Sequence, residues 1–391
     1  MGLDGRWLSS GGFPFQMGAL AALFDVMDLL VIKVDPRLGG SPLPANVTVV
    51  PLPQLKGSGL RRKLSLVANL PSYIFPILDH LVEADVVHTP VPGDIPLVAM
   101  VMGLMLRKHM IVRYGGSWET TSQTTMMNRL TRLLMRMFAG GRNVVFAAGA
   151  KDIAPARRIS WIFSTALARC ELERTNPNVN PGMSQPAQLA YLGRLSPEKG
   201  VDVLIRAMGV LKRELERRTP ILAIAGDGPE RPKLEQLVTQ VNCETSISFL
   251  GQLTRSQLSD LFIRTDICVQ PSLTEGFSKA WLDAMSHGVP VVSSCVGAAA
   301  EVVGRHGERG WLVPPGDVQA LASTLKHIIT NQQDWIPLRR RCREFVESRT
   351  LETWGKTILT TCAIQWGWSV ENGKLERRAF RSDYGNTHVR P

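Results

Sequence analysis

The sequence predicts an α/β protein made of two doubly wound parallel-sheet domains that face each other across a cleft. Three observations carry that expectation. Short apolar, β-rich runs alternate with longer helical patterns along most of the chain, as parallel sheets covered by helices require. The 391 residues exceed what one core usually organises, since domains commonly take roughly 100–200 residues. The alternation is also broken at residues 175–186, TNPNVNPGMSQP, where three prolines, one glycine and three asparagines fall together. That composition favours neither helix nor strand.

In the first half the β-rich runs are 29–34, 47–50, 86–89, 110–113, 143–146 and 160–163, with helical patterns at 18–24, 60–82, 95–106 and 126–138. Residues 1–174 thereby form one domain and 175–186 a hinge. The alternation restarts with strands at 187–193, 220–225, 246–250, 267–271 and 290–293, and helices at 200–216, 230–241, 255–265, 278–287 and 318–330. These strands are continuous Val/Ile/Leu/Ala runs, the pattern of a sheet with helices on both faces. Residues 187–345 make this second domain. Leu351, Trp354, Ile358 and Cys362 share one helical stripe, so 346–373 is expected to pack a helix back towards the first domain. The charged remainder, 374–391, is expected to be a frayed tail.

Composition narrows the function classes. Forty-five Lys and Arg against 34 Asp and Glu give a net charge of +11, which suits a polyanion, an anionic membrane surface or a phosphorylated ligand. No basic-aromatic module accompanies the charge, so nucleic acid is not expected as a partner. Cys170, Cys243, Cys268, Cys295, Cys342 and Cys362 are scattered with no C-x-x-C pair. That argues against a zinc site or a disulfide framework and fits a cytoplasmic location. The start, MGLDGRWLSSGGFPF, lacks the apolar core of a signal peptide. The longest apolar run, 95–106, is too short to span a bilayer and reads as a buried helix.

Three segments of the second half carry chemistry. In YLGRLSPEKG (191–200) a strand ends at Gly193 and a polar loop delivers Arg194 and Lys199. Ligands of open α/β sheets bind beyond the carboxyl ends of strands, and this cation pair suits a diphosphate. On chemistry alone, two solvated loop cations are an equal reading. ILAIAGDGPE (221–230) begins like a dinucleotide fingerprint, but Pro229 follows Gly228 directly and Arg231 stands where a third glycine belongs. Gly226 and Gly228 therefore read as a tight turn at the cleft edge, beside a bound nucleotide. In PSLTEGFSKAWLDAM (271–285) a buried strand runs into a loop holding Glu275, and a helix starts near Ser278. The free amides near Phe277 and Ser278 can hold a phosphate. Glu275 can reach a donor sugar's hydroxyls, and Asp283, two turns into the helix, can accept from a ribose diol. Taken singly, the two acids read better as an exposed loop acid and a helix-face acid.

Their order is more specific than any one of them. The run GRLSPEKGVDVLIRA, AIAGDGPE, SFLGQ, EGFSKAWLDAM, HGVPVVSS, GWLVPPGD resembles the retaining glycosyltransferases of family 4 (glycosyl transferases group 1), which have the GT-B fold. The resemblance spans residues 189–329. It implies that Arg194 and Lys199 bind the donor diphosphate and that Glu275 is the first acid of the family's E-x7-E motif, touching the donor sugar. It also implies that Gly276, Phe277 and Ser278 form the loop whose amides face sugar and phosphate, and that Leu253 lies beside the nucleobase. The second glutamate of the motif is Asp283 here, one methylene shorter, and Gly297-Ala298 replaces a double glycine.

The first half resembles the family less. Ser10-Gly-Gly-Phe13 is similar to the N-terminal glycine loop, with Gly12 free to approach the diphosphate closely. The preceding residues make a poor strand, so either the first strand is very short or this start lies inside a longer reading frame. His88 follows a strand at a position where the family places polar residues near the donor sugar; a lone histidine is more often structural. The turn 113–119, RYGGSWE, is open to touching donor or acceptor, or to being a glycine turn with an aromatic plug. Two basic stretches, 56–63 and 128–138, remain. In the second, Arg129, Arg132 and Arg136 share one face and Leu130, Leu133, Leu134 and Met137 supply the other. A helix packed on the sheet by its apolar face is favoured over an interfacial helix on anionic lipid.

The expected reaction moves a sugar from a nucleoside diphosphate sugar to a hydroxyl of a glycan or glycolipid, with retention. It is expected to need no metal or cofactor, because cations would stabilise the leaving diphosphate and no D-x-D sequence is present. No side chain stands out as a covalent nucleophile. A peripheral place at the inner face of the membrane is compatible with the charge. Two rivals share the architecture: a catalytically silent nucleotide-sugar-binding relative and a sugar-nucleotide epimerase.

Overall fold

The computed structural model describes residues 7–9, 11–32, 41–54, 65, 69–120, 124–175, 182–331 and 334–377. The basic stretch 56–63, half of the expected hinge (176–181), Ser10 and the last residues (378–391) lie outside them.

The first domain runs β1 (Leu8–Ser9), α1 (Phe13–Ala21), β2 (Met27–Ile32), β3 (Ser41–Pro42), β4 (Val47–Leu52), α2 (Leu70–Glu83), β5 (Val86–Val91), α3 (Asp94–Met105), β6 (His109–Tyr114), α4 (Met126–Phe138), β7 (Asn143–Ala148) and β8 (Ile159–Ile162). Strands β5-β6-β7-β8 form one parallel sheet and β2-β4 a separate parallel pair. The two residues of β1 pair antiparallel with β3 and do not enter the parallel sheet. Two apolar layers, one around Tyr73, Met100 and Met110, the other around Met17, Leu29 and Phe146, cover both faces. No helix among the described residues is long and apolar enough to cross a membrane.

Helix α4 is oriented differently from expectation. Its buried residues are Thr131, Arg132 and Met135, whereas Leu130, Leu133 and Met137 are exposed. The cause lies in the preceding turn. The Arg132 guanidinium donates to the Trp118 carbonyl and, at 3.3 Å, to Thr120 Oγ1, while Arg136 lies over the Trp118 ring. An arginine satisfied by a carbonyl and a hydroxyl can turn inward, and the leucines then face out.

A short helix, α5 (Arg169–Arg174), leads to the second domain: β9 (Gln188–Leu192), α6 (Val201–Leu215), β10 (Ile221–Ala225), α7 (Arg231–Gln240), β11 (Ile247–Gly251), α8 (Arg255–Ile263), β12 (Ile267–Gln270), α9 (Lys279–Met285), β13 (Val291–Ser294), α10 (Ala299–Val303), β14 (Gly310–Val313), α11 (Val318–Thr330) and α12 (Trp335–Glu347). Its six parallel strands lie in the order β11-β10-β9-β12-β13-β14. The winding reverses between β9 and β12, which pair directly through Leu189–Ile267 and Ala190–Cys268. Open sheets bind ligands at such a switch point.

The chain then returns to the first domain. In α13 (Leu351–Trp366) Trp354, Ile358 and Cys362 are fully buried among Met17, Leu20 and Phe146. A hairpin follows, β15 (Ser369–Glu371) with β16 (Lys374–Glu376). Residues 374–376 are therefore not frayed: Leu375 is buried, its amide donates to the Leu23 carbonyl at 3.0 Å, and Lys374 pairs with Asp25. An apolar residue with a slot to fill outweighs the charges around it.

Candidate active site

The domains enclose a cleft of about 1440 Å³. Because β9 and β12 are neighbours at the switch point, the loop after each opens into it. The first loop is stitched to the turn after β10: Gly193 N donates to Ala225 O, Leu195 N to Asp227 O and Glu230 N to Leu195 O, all within 3.1 Å. This stitching explains the glycines. A Cβ on Gly226 would lie 1.8 Å from the Gly193 carbonyl oxygen, and one on Gly228 2.2 Å from that of Leu195. The pair shapes the Arg194 loop by close backbone contact, and both glycines line the cleft.

Arg194 is exposed at the cleft wall, its carbonyl accepting from Tyr191 Oη at 3.0 Å. Lys199 reaches across the switch point to Glu275, Nζ to Oε2 2.5 Å, with both side chains mostly buried. Gly276 follows, and its Cβ position lies 2.6 Å from the Gly116 carbonyl oxygen and 2.8 Å from that of Gly115. Here the two domains touch backbone to backbone across the cleft. The Phe277 ring is core, edge-on to Trp281 at 5.6 Å, which leaves its main chain and that of Ser278 facing the cleft. Leu253 lines the cleft beside Gln252. Gly12 faces these residues from the first domain, where a Cβ would meet Ala166 Cβ at 2.7 Å and Lys279 Cδ at 3.0 Å.

Asp283 does not stand free. Arg255 Nη1 donates to its Oδ1 at 2.7 Å, and the same guanidinium grips Glu171 of α5 with Nε (3.1 Å) and Nη2 (2.9 Å). Burial opposes the arginine's charge, but Asp283 and Glu171 outweigh it and raise its pKa. Arg255 also lies over Phe15 of the first domain. The shortened acid is thus held by an arginine that ties the second domain to the segment entering it.

His88 is the one expected site residue outside the cleft lining. Strand β5 runs to Val91, two residues beyond the expected end, so His88 sits three residues back from the mouth, roughly 10 Å at strand rise. Its Nε2 accepts from Arg113 Nε at 3.2 Å, and burial, then Arg113, push its pKa well below 6.5. It is a neutral partner that orients Arg113, and Arg113 is the residue that reaches the cleft. Arg255 and Lys279 also line it. Neither stands out in sequence, although Thr254 and Gln257 form a capping box that marks where α8 begins and hence where Arg255 lies.

Residues 174–349 match the family described as Glycosyl transferases group 1. Over 187 residues the chain is 30% identical to the amylovoran biosynthesis glycosyltransferase AmsK of Erwinia amylovora, covering 46% of this chain and 44% of that protein. It is 26% identical over 286 residues to the sulfoquinovosyl transferase SQD2 of Arabidopsis thaliana, covering 68% and 54%. The chain thus matches only about half, or less, of these relatives' length. Among solved structures it resembles Anabaena Alr3699/HepE in complex with UDP and glucose, with a TM-score of 0.67 and 20% identity over 92% of this chain and 97% of that one. Residues 174–349 therefore carry the glycosyl transferases group 1 signature, and the chain as a whole has the GT-B fold.

Proposed function

We propose that this protein transfers a sugar from a nucleoside diphosphate sugar to a hydroxyl of a glycan or glycolipid, with retention of anomeric configuration. One observation carries the reading. The two loops at the switch point bring Arg194, Lys199, Glu275 and the main chain of 276–278 to one wall of the cleft, opposite Gly12. As the glycosidic bond breaks, negative charge grows on the leaving diphosphate. Arg194, Lys199 and the amides near Phe277 lie where they stabilise it, and closure of the domains excludes water and strengthens them. These fixed cations make the reaction metal-independent in this reading. Glu275 contacts the donor sugar, and Leu253 and Asp283 hold the base and ribose. The relatives named for amylovoran synthesis and sulfoquinovosyl transfer suggest a cell-surface polysaccharide or glycolipid product.

The same reading gives the protein a peripheral contact with anionic membrane. Met126, Leu130, Leu133 and Met137 lie exposed along α4, flanked by exposed Arg129 and Arg136, on a helix with no acidic residue. Such a face suits a lipid headgroup boundary.

Ligand-induced thermal stabilisation against UDP, GDP, ADP and TDP, with and without EDTA, tests the donor site. A ligand at 100 times Kd stabilises by about 2.7 kcal/mol. One nucleotide should raise Tm, retain its effect in EDTA and lose it in Arg194→Ala. No shift with any nucleotide removes the donor-site reading. Binding without turnover would leave a silent nucleotide-sugar-binding protein. The anomeric coupling of the product by NMR tests retention.

A further inference from the structure

The cations of the cleft differ in what they have to hold. Lys199 is paired with Glu275, Arg255 with Asp283 and Glu171, and Arg113 donates to His88. Lys279, at the start of α9, has no hydrogen-bond or ion-pair partner among the described residues. Its ammonium nevertheless lies inside the cleft, against the first domain: a Cβ on Gly12 would sit 3.1 Å from Lys279 Nζ. The charged groups around it are Arg113, Asp283, Glu275 and Lys199. The Gly12 and Ala166 backbone that faces it adds no acid.

We infer that Lys279 is a donor-binding residue that grips the diphosphate from the side of the first domain and sets the preference of the cleft for nucleoside diphosphates over monophosphates. This rests on the donor-site reading above. A largely buried ammonium that no carboxylate bonds directly is costly, and a second phosphate in the cleft within reach of Lys279 Nζ removes that cost. A monophosphate is held by the remaining groups and gains little. Gly12 also acquires a reason: any side chain there meets the Lys279 stem.

The geometry carries a pH signature. Burial, then Arg113, hold the Lys279 pKa down to about 8. A phosphate beside it favours the charged form, so diphosphate binding takes up a proton near pH 8. Affinity is then highest below pH 8 and falls as pH rises through it.

The test is calorimetric binding of UDP, GDP, ADP and TDP and their monophosphates to the full chain between pH 7 and 9.5, with Lys279→Met and Lys279→Arg. In the wild type, the nucleotide that binds should weaken with rising pH as its diphosphate but not as its monophosphate. Lys279→Met should weaken the diphosphate about 10–100-fold at pH 7, the scale of one charge-assisted contact. It should also leave the monophosphate unchanged and remove the pH dependence, while Lys279→Arg keeps tight binding at pH 9.5. Equal diphosphate affinity in wild type and Lys279→Met overturns the role of Lys279 and leaves the donor site standing. Parallel loss of both nucleotides in Lys279→Met overturns it in favour of a structural role. Failure of the wild type to bind any nucleotide overturns the donor site itself.

Discussion

The backbone contact between Gly276 and Gly115–Gly116 makes Gly276→Ala a probe of domain closure. The added methyl would stand 2.6 Å from one carbonyl oxygen and 2.8 Å from the other, whereas carbon and oxygen rest at about 3.3 Å or more. The domains must separate by roughly 0.6 Å there, and overpacking on this scale costs about 1–3 kcal/mol. All the crowded atoms belong to the first domain, so opening the cleft releases the strain without unfolding either core. The closed state should therefore lose about 5- to 150-fold in population relative to the open one, and donor turnover should fall by a similar factor while Tm barely moves. Gly297→Ala is the matched contrast. Its methyl would lie 2.1 Å from the Glu275 oxygen and 2.5 Å from that of Gly276, at φ +56° and within the second domain. Opening cannot relieve that, so Tm should drop by several degrees, at about 2–4 °C per kcal/mol. Turnover of the donor sugar, thermal melts and nucleotide-induced compaction by small-angle scattering read the two variants. Unimpaired turnover and compaction in Gly276→Ala would refute closure through this contact, as would a melt lowered as far as that of Gly297→Ala.

Arg255→Met leaves the buried Asp283 and its partner Glu171 without a counter-charge. Stability should fall by about 3 kcal/mol in urea denaturation, and an unchanged midpoint would mean the bridge is ornamental. His88 and His287 both have pKa values lowered chiefly by burial, so near their ordinary 6.5 the unfolded chain binds protons that the folded one refuses. Stability should be level above about pH 7 and fall as pH drops through 6.5; a slope unaltered in His88→Gln/His287→Gln would assign it elsewhere. Leu130→Glu/Leu133→Glu should abolish co-sedimentation with phosphatidylglycerol vesicles while leaving the melt unchanged, since both leucines are already exposed. Retained vesicle binding would move the membrane contact off α4.

The second domain was legible in the sequence because parallel strands, their loops and the following helices are contiguous in chain and in space. Ala187 to Gly193 and Ile267 to Gln270 read as buried strands, and the chemistry falls in the loops after them, so the order of motifs already contains the order of the cleft wall. What it does not contain is direction. The period of α4 shows that its arginines and leucines segregate, but which side turns inward depended on the Trp118 carbonyl, distant in any helical pattern. His88 lies back from the cleft because the strand continues two residues beyond 89, through Pro90, which pairs in register with Arg113. Proline lacks only the donor, and a parallel neighbour still accepts its extended backbone. Asp283 is one methylene shorter than the family's glutamate, but its environment is governed by Arg255, 28 residues earlier in the chain, which nothing in the sequence marks as a site residue. A cation in a loop or on a helix looks the same in sequence whether it is solvated, paired or waiting for a ligand. Lys199 is paired with Glu275, Arg255 with Asp283 and Glu171, and Lys279 with no group among the described residues, and such differences become visible only when both domains are folded around one cleft.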